Sequence, residues 1–284
     1  MLLAYYGESL LTEETVPGVL DGLRDEGFGE SDLRIERRNG QFDLATTDAI
    51  FAGAEQGDAE VVVALTTNAL QAALRRVKSK PIVFSVVANP FLAGAGRSPT
   101  DHAPNLTGVS SVSDFDAMAT AIRRVWPEAR RVGTVYTPSE LNSEFHRHLF
   151  ELSLQAQGMQ LVAKPADRAS DVPAAADAVI GEGVDVLAQI NDNTSASSLG
   201  TILQAASRRR VPSTSFLTEG LKRGAVLVVA RDYHAIGRET GRLVGKVLKG
   251  AKPADLPIQP ASETRLQGSP DNAAKFGKIG RAHV

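Results

Sequence analysis

The 284-residue chain contains no cysteine. A disulfide framework, a thiolate metal site and a thiol nucleophile are therefore excluded. No apolar run approaches the ~18 residues that span a bilayer. The opening segment, MLLAYYGESL, has no basic leader, and its apolar stretch 2–6 has the length of a strand, so an exported form would carry its leader ahead of this sequence. No block of one charge stands out either: 31 basic and 33 acidic residues give a formal net charge of −2. That balance leaves no electrostatic footprint for nucleic acid or an anionic membrane.

Catalytic signatures are missing as well. There is no GxxxxGK[ST] phosphate loop, no HExxH zinc helix and no GxSxG nucleophile elbow. Gly94-Ala95-Gly96 lacks the third glycine of a dinucleotide turn, and Arg97-Ser98-Pro99 follows where a helix should open. His146 and His148, two apart on an expected helix, diverge by roughly 200° and cannot share a metal; they read as solvated surface histidines. No catalytic residue, metal site or cofactor is expected.

What is present is a chain that is 43% hydrophobic and 23% charged, enough to bury a real core. Short β-rich runs alternate with longer amphipathic stretches, the pattern of βα units around parallel sheets. Strands are expected at 2–6, 33–37, 60–65, 82–87 and 106–109, then at 132–136, 160–163, 184–189, 213–216 and 225–229. Two sets of five fit two similar lobes better than one continuous sheet. Val16, Val19, Leu20 and Leu23 recur at helical spacing and Gly27 follows as a C-cap. Leu141, Phe145, Leu149, Leu152 and Ala156 form a second stripe. On the helix expected over 232–249, Gly237, Gly241 and Gly245 recur every fourth residue, each costing roughly 1 kcal/mol of helix propensity against alanine. Three such costs on one line imply that another backbone passes very close.

Several motifs, in order, carry a family resemblance over about residues 33–258. They are PIVFSVVANPFLAGAG (81–96), PNLTGVS (104–110), VGTVYTPSELNS (132–143), NDNTSAS (191–197), LKRGAVLVVARDYHAIGRETG (221–241) and VLKGAKPADLPI (247–258). With these the sequence resembles the ABC-transporter substrate-binding proteins that include the TrpX-type receptors for aromatic amino acids. The resemblance implies an α/β, type I periplasmic-binding-protein-like fold: two doubly wound parallel-sheet lobes joined by a multi-strand hinge. By analogy the N-terminal lobe takes 1–110 and 233–252, and the C-terminal lobe takes 111–232 and 253–268. Residues 269–284 are read as a tail, of which 279–284 match the in-frame translation of a sequencing-adapter oligonucleotide.

The function so implied is the solute-binding component of a bacterial ABC importer, closing by a hinge on a small polar or zwitterionic ligand such as an amino acid. It would be non-catalytic, monomeric, periplasmic or anchored outside the membrane, with an ABC permease and not nucleic acid as partner. The alternatives are a ligand-sensing domain of a regulator or receptor and, further off, an α/β enzyme. In open α/β sheets ligands sit beyond the carboxyl ends of the strands, and most of the motifs fall on such passages. Thr67, Asn68 and Ser85 are candidates for a ligand carboxylate at helix N-termini, with helix capping an equal explanation. Asp192 is the candidate for an ammonium group, or again a cap; the family's DN pair matches Asp192-Asn193. Asn142 and Ser143 would complete the second wall, with Tyr136 as an apolar platform. Asn89 stands where the family often has Asp, and Asn68 where it often has Pro, so the ligand class stays open. Asp232 and Tyr233 would sit at the hinge.

Overall fold

The computed structural model describes residues 1–29, 31–260 and 264–276; the adapter-like segment 279–284 lies outside them. The first half runs β1 (Leu2–Tyr5), α1 (Leu10–Asp25), β2 (Glu36–Asn39), α2 (Leu44–Gln56), β3 (Val62–Leu65), α3 (Thr67–Arg76), β4 (Ile82–Val87), β5 (Gly96–Ser98), β6 (Asp101–His102) and β7 (Leu106–Ser110). There follow α4 (Phe115–Val125), β8 (Arg131–Tyr136), α5 (Leu141–Ala156), β9 (Gln160–Pro165), α6 (Val172–Gly181), β10 (Val186–Gln189), α7 (Asn193–Ser197) and α8 (Leu199–Arg208). The chain continues with β11 (Ser213–Ser215), β12 (Leu227–Arg231), α9 (Tyr233–Leu248), β13 (Thr264–Gly268) and α10 (Pro270–Ala274).

These elements form two compact units, one of Met1–Val112 with Asp232–Ser262, the other of Ser113–Arg231 with Glu263–Val284. The first has a parallel sheet in the order β2-β1-β3-β4-β7, with β5 and β6 as a small antiparallel hairpin. The second has the order β13-β12-β11-β10-β8-β9, parallel except for β13. In each sheet the order reverses once, at β1/β3 and at β8/β10. The loops beyond the carboxyl ends of those strand pairs are where such sheets bind ligands.

The ten expected strands are all present, and three differences have local causes. The second strand covers Glu36–Asn39 instead of 33–37; it is a charged, exposed edge whose register is set by pairing Leu2 with Glu36. Residues 253–260, expected with the second lobe, belong to the first unit. Ile258 N donates to Pro99 O (2.9 Å), Gln259 N to Gly108 O (2.8 Å) and Thr107 Oγ1 to Leu256 O (2.8 Å). The start of the expected tail is structured: α10 brings Ala273 and Phe276 onto Ala121, Val125, Val226 and Leu227. Asn272 anchors it, donating to Leu221 O and Ala225 O at 2.8 and 2.9 Å.

The glycine spacing on α9 has the cause expected of it. A Cβ on Gly237 or Gly241 would overlap the carbonyl oxygens of Thr15 or Val19 on α1, and one on Gly18 or Gly22 would overlap those of His234 or Arg238. The two helices are in backbone contact, which only glycine permits. Charges flank the seam. Arg238 donates two hydrogen bonds to Asp25, both 2.7 Å, and Arg242 adds a third at 2.9 Å. The Arg238 contact first, then Arg242, hold the Asp25 carboxyl down to about 2.

The α5 stripe is a correction. Leu152 and Ala156 are exposed, and the face turned inward carries Asn142, Ser143, His146, Phe150, Ser153 and Leu154. Phe150 and Leu154 supply the apolar contact, with Phe115, Met118 and Phe216. The first two turns bring polar groups instead, because they lie over the loop that follows β10.

Candidate functional site

In the second unit, the loops after β8 and β10 meet in a buried polar cluster. Asp192 is fully buried and N-caps α7: its Oδ1 accepts from Ser195 N and its Oδ2 from Ser143 Oγ, both at 2.6 Å. Ser143 Oγ in turn accepts from Thr137 N at 2.8 Å. Thus Asn142, Ser143, Asp192 and Asn193 come together as expected, and Asp192 has the capping role that was the alternative to ligand contact. Tyr136 stays outside this network. It is half-buried at the end of β8, with the Arg147 guanidinium 5.5 Å from its ring centre.

Two members were not foreseen. Glu140 is 2% exposed and reaches from the loop before α5 to the start of α7. It accepts from Asn193 N (3.0 Å), Asn193 Nδ2 (2.6 Å), Thr194 N (3.3 Å), Thr194 Oγ1 (3.1 Å) and Asn142 Nδ2 (3.2 Å). No ion pair reaches Glu140 or Asp192 among the described residues. Burial, and then the neighbouring Asp192, push the Glu140 carboxyl up to about 7 against these five donors; burial raises Asp192 also. A charge taken out of water without a partner is costly, and protonation relieves it.

A pH dependence follows. The native state keeps a proton that the unfolded carboxyl releases near its ordinary value. The Glu140 contribution to stability is therefore fully present below about 4.5 and is lost as pH rises towards 7, by up to about 1.4 kcal/mol per pH unit. The difference in urea-unfolding stability between wild type and Glu140→Gln isolates this contribution, and it should shift against wild type as pH rises from about 4.5 to about 8. The same slope in both proteins would mean that Glu140 is ionised throughout.

His146 is the second. Reading it as a surface histidine failed because the turn of α5 that carries it faces the β10–α7 loop; it is 3% exposed. Its Nδ1 lies 2.7 Å from Asn191 O, and its ring packs 5.2 Å from that of Phe115. Burial pushes its pKa down to about 4. His148, two residues on, is exposed as expected.

In the first unit the corresponding loop follows β3. Thr66 has φ +87°, a left-handed value that a β-branched residue rarely adopts. Thr67 and Asn68 open α3 and are buried. The neighbouring strand is irregular too: Val86 has φ +58°, and the β4–β7 register shifts between Phe84 and Val87. Two left-handed β-branched residues in adjacent strand ends are strain of the kind that gathers at functional sites. Ser85, by contrast, turns away. It is fully buried, with its hydroxyl bonded to that of Thr240 on α9 (2.8 Å), and so joins a helix to the sheet. Asn89 is half-buried and caps its own turn, accepting from Phe91 N and Leu92 N, both 3.1 Å. Asp232 caps α9 through Ala235 N at 2.9 Å, and Tyr233 is buried in the first turn.

Five of the ten buried side-chain polar atoms without a partner among the described residues lie at or beside these two loops: Thr66 Oγ1, Thr67 Oγ1 and Asn68 Oδ1 in one unit, Asn142 Oδ1 and His146 Nε2 in the other. A surface cavity of about 450 Å³ lies elsewhere, at the amino ends of β1 and β2, lined by Leu2, Glu36, Arg38, Ile50 and Gly57 among others. It has neither the orphaned groups nor the strained backbone.

Two doubly wound sheets, each with polar loops at its switch point, make up an α/β fold of the type I periplasmic-binding-protein kind. The chain belongs to the ABC transporter substrate binding protein family, whose model matches residues 7–275. It is 26% identical over 250 residues to the tyrosine-binding protein of Clostridioides difficile, covering 88% of this chain and 72% of that one. A conserved domain protein from Vibrio cholerae superposes with TM-score 0.93 at 28% identity, over 99% of this chain and 95% of the other. The ABC domain from Streptococcus pneumonia in complex with L-Trp superposes with TM-score 0.90 at 23% identity, over 97% and 94%.

Proposed function

We propose that this chain is the solute-binding component of an ABC importer, that its ligand is a free amino acid with an aromatic side chain, and that it performs no covalent chemistry. The observation that carries this reading is the set of buried, unpartnered polar atoms at the carboxyl-end loops of both sheets. Leaving a buried donor or acceptor unpaired costs about 1–3 kcal/mol, and a bound polar ligand removes that cost. The class of ligand is supported by relatives named for tyrosine and L-Trp.

In this reading the Thr66 and Thr67 hydroxyls and the first N–H groups of α3, all within the first unit, suit a carboxylate. Within the second unit, Glu140 and Asp192 are two buried carboxyl groups without a countercharge, a pair that suits an ammonium group. Hinge closure over the ligand, delivery to a membrane permease and a place outside the cytoplasmic membrane belong to the same proposal and rest on the family. No helix of the described residues is long and apolar enough to cross a membrane.

A thermal-shift titration tests it. L-tyrosine or L-tryptophan should raise the melting temperature progressively with concentration, since a ligand that binds only the native state stabilises it by mass action. Sugars and nucleosides should not. A shift with a sugar and none with any amino acid would replace the ligand class.

A further inference from the structure

The orphaned nitrogen of His146 has a chemistry of its own. The ring is neutral at pH 7, because burial holds its pKa near 4. Its Nδ1 lies 2.7 Å from the Asn191 carbonyl oxygen, which only an N–H can satisfy, so the proton is on Nδ1 and Nε2 carries a lone pair. That lone pair is buried and has no donor. One helical turn earlier, on the same face of α5, Asn142 Oδ1 is a second buried acceptor without a donor. Neither atom is left open by poor packing. His146 is held by the Asn191 carbonyl and the Phe115 ring, and Asn142 by the hydrogen bond that its Nδ2 donates to Glu140. Asn191 is itself fixed through its side-chain amide to Phe216 O at 3.1 Å. A rigid pair of acceptors, spaced by one turn and beside the loop that follows β10, matches a ligand bearing hydrogen-bond donors.

We infer that His146 is a specificity-determining residue whose Nε2 accepts a hydrogen bond from the tip of the ligand's side chain, selecting aromatic amino acids with a ring O–H or N–H over those without one. The inference rests on the amino-acid reading above and adds to it a reason for preference within the class. The phenol of tyrosine and the indole of tryptophan each carry one such donor; phenylalanine has the same backbone groups and a ring of similar size but no donor. Binding phenylalanine would leave the acceptor unpaired, as it is without ligand, and gain nothing there.

Calorimetric titration of wild type, His146→Leu and His146→Gln with L-tyrosine and L-phenylalanine tests it, with urea unfolding of each ligand-free protein as a control on folding. Wild type should prefer tyrosine by about 10- to 100-fold. His146→Leu should lose most of that preference by weakening tyrosine while sparing phenylalanine, and His146→Gln, which keeps both a donor and an acceptor, should retain part of it. A wild type that binds the two equally overturns the inference while leaving the amino-acid reading intact. So does a His146→Leu variant that weakens both ligands by the same factor. Should His146→Leu not fold, the wild-type ratio and the Gln variant still decide. Failure of every amino acid to bind removes both readings at once.

Discussion

Gly241→Val is expected to destabilise the protein by about 3 kcal/mol or more, a larger loss than most single substitutions produce. A side chain at Gly241 meets the Val19 carbonyl oxygen and the Gly22 Cα of α1, so the obstacle is backbone and no rotamer avoids it. The helices would have to separate along a seam that also holds Gly18, Gly22 and Gly237, and with them the Asp25 bonds to Arg238 and Arg242. Valine's higher helix propensity works the other way, by only a few tenths of a kcal/mol. Urea unfolding measures the balance. Gly53→Ala in α2 is the matched contrast, since nothing lies within 4 Å of its added Cβ. There the gain in propensity is unopposed, and about 0.5–1 kcal/mol of stabilisation is expected. A Gly241 variant as stable as wild type would mean that α1 and α9 are not in backbone contact.

Asp192→Ala carries the largest expected effect on binding. If the carboxylate faces a ligand ammonium, its loss should weaken binding by about 2–5 kcal/mol, a factor of roughly 30 to several thousand. The same substitution removes the cap of α7 and a bond from Ser143, worth about 1–2 kcal/mol of folding stability. The two losses are separable. Ser195→Ala leaves the carboxylate in place and keeps the backbone N–H that Asp192 caps, while removing a hydroxyl that donates to Ile190 O and accepts from Asp192 N. Titration with L-tyrosine should therefore show a large loss for the Asp192 variant and a small one for the Ser195 variant. Full affinity in Asp192→Ala would reduce Asp192 to the cap it visibly is.

The fold was legible because its signals are local. Alternating strand and helix runs mark the βα units, and the four-residue glycine spacing of α9 announces a close partner without naming α1. The missed strands β5, β6 and β13 are short or half-exposed, with no apolar period to betray them. The site was legible only in part. Asn142, Ser143, Asp192 and Asn193 could be placed because strand ends point to them. Ser85 sits at such an end too, yet β4 is irregular there and the side chain is turned under α9, which no sequence pattern reveals. Glu140 and His146 escaped for a physical reason. An acid in a loop and a histidine on a helix are ordinarily solvated, and only the α5–α7 packing, a tertiary fact, withdraws them from water. The one available hint was adjacency: Glu140 stands two residues before Asn142, and His146 one turn after it.

The division of the chain has a consequence for its birth on the ribosome. Residues 1–112 emerge first, but α1 has no partner for its glycine face until 232–248 have been made. The parallel strands of the other unit, made in between, are complete by residue 231. The unit that contains residues 1–112 is thus obliged to wait, its sheet strands made but the glycine face of α1 bare, while its neighbour acquires its parallel strands. Nascent chains arrested near residue 230 would be the form most in need of a chaperone.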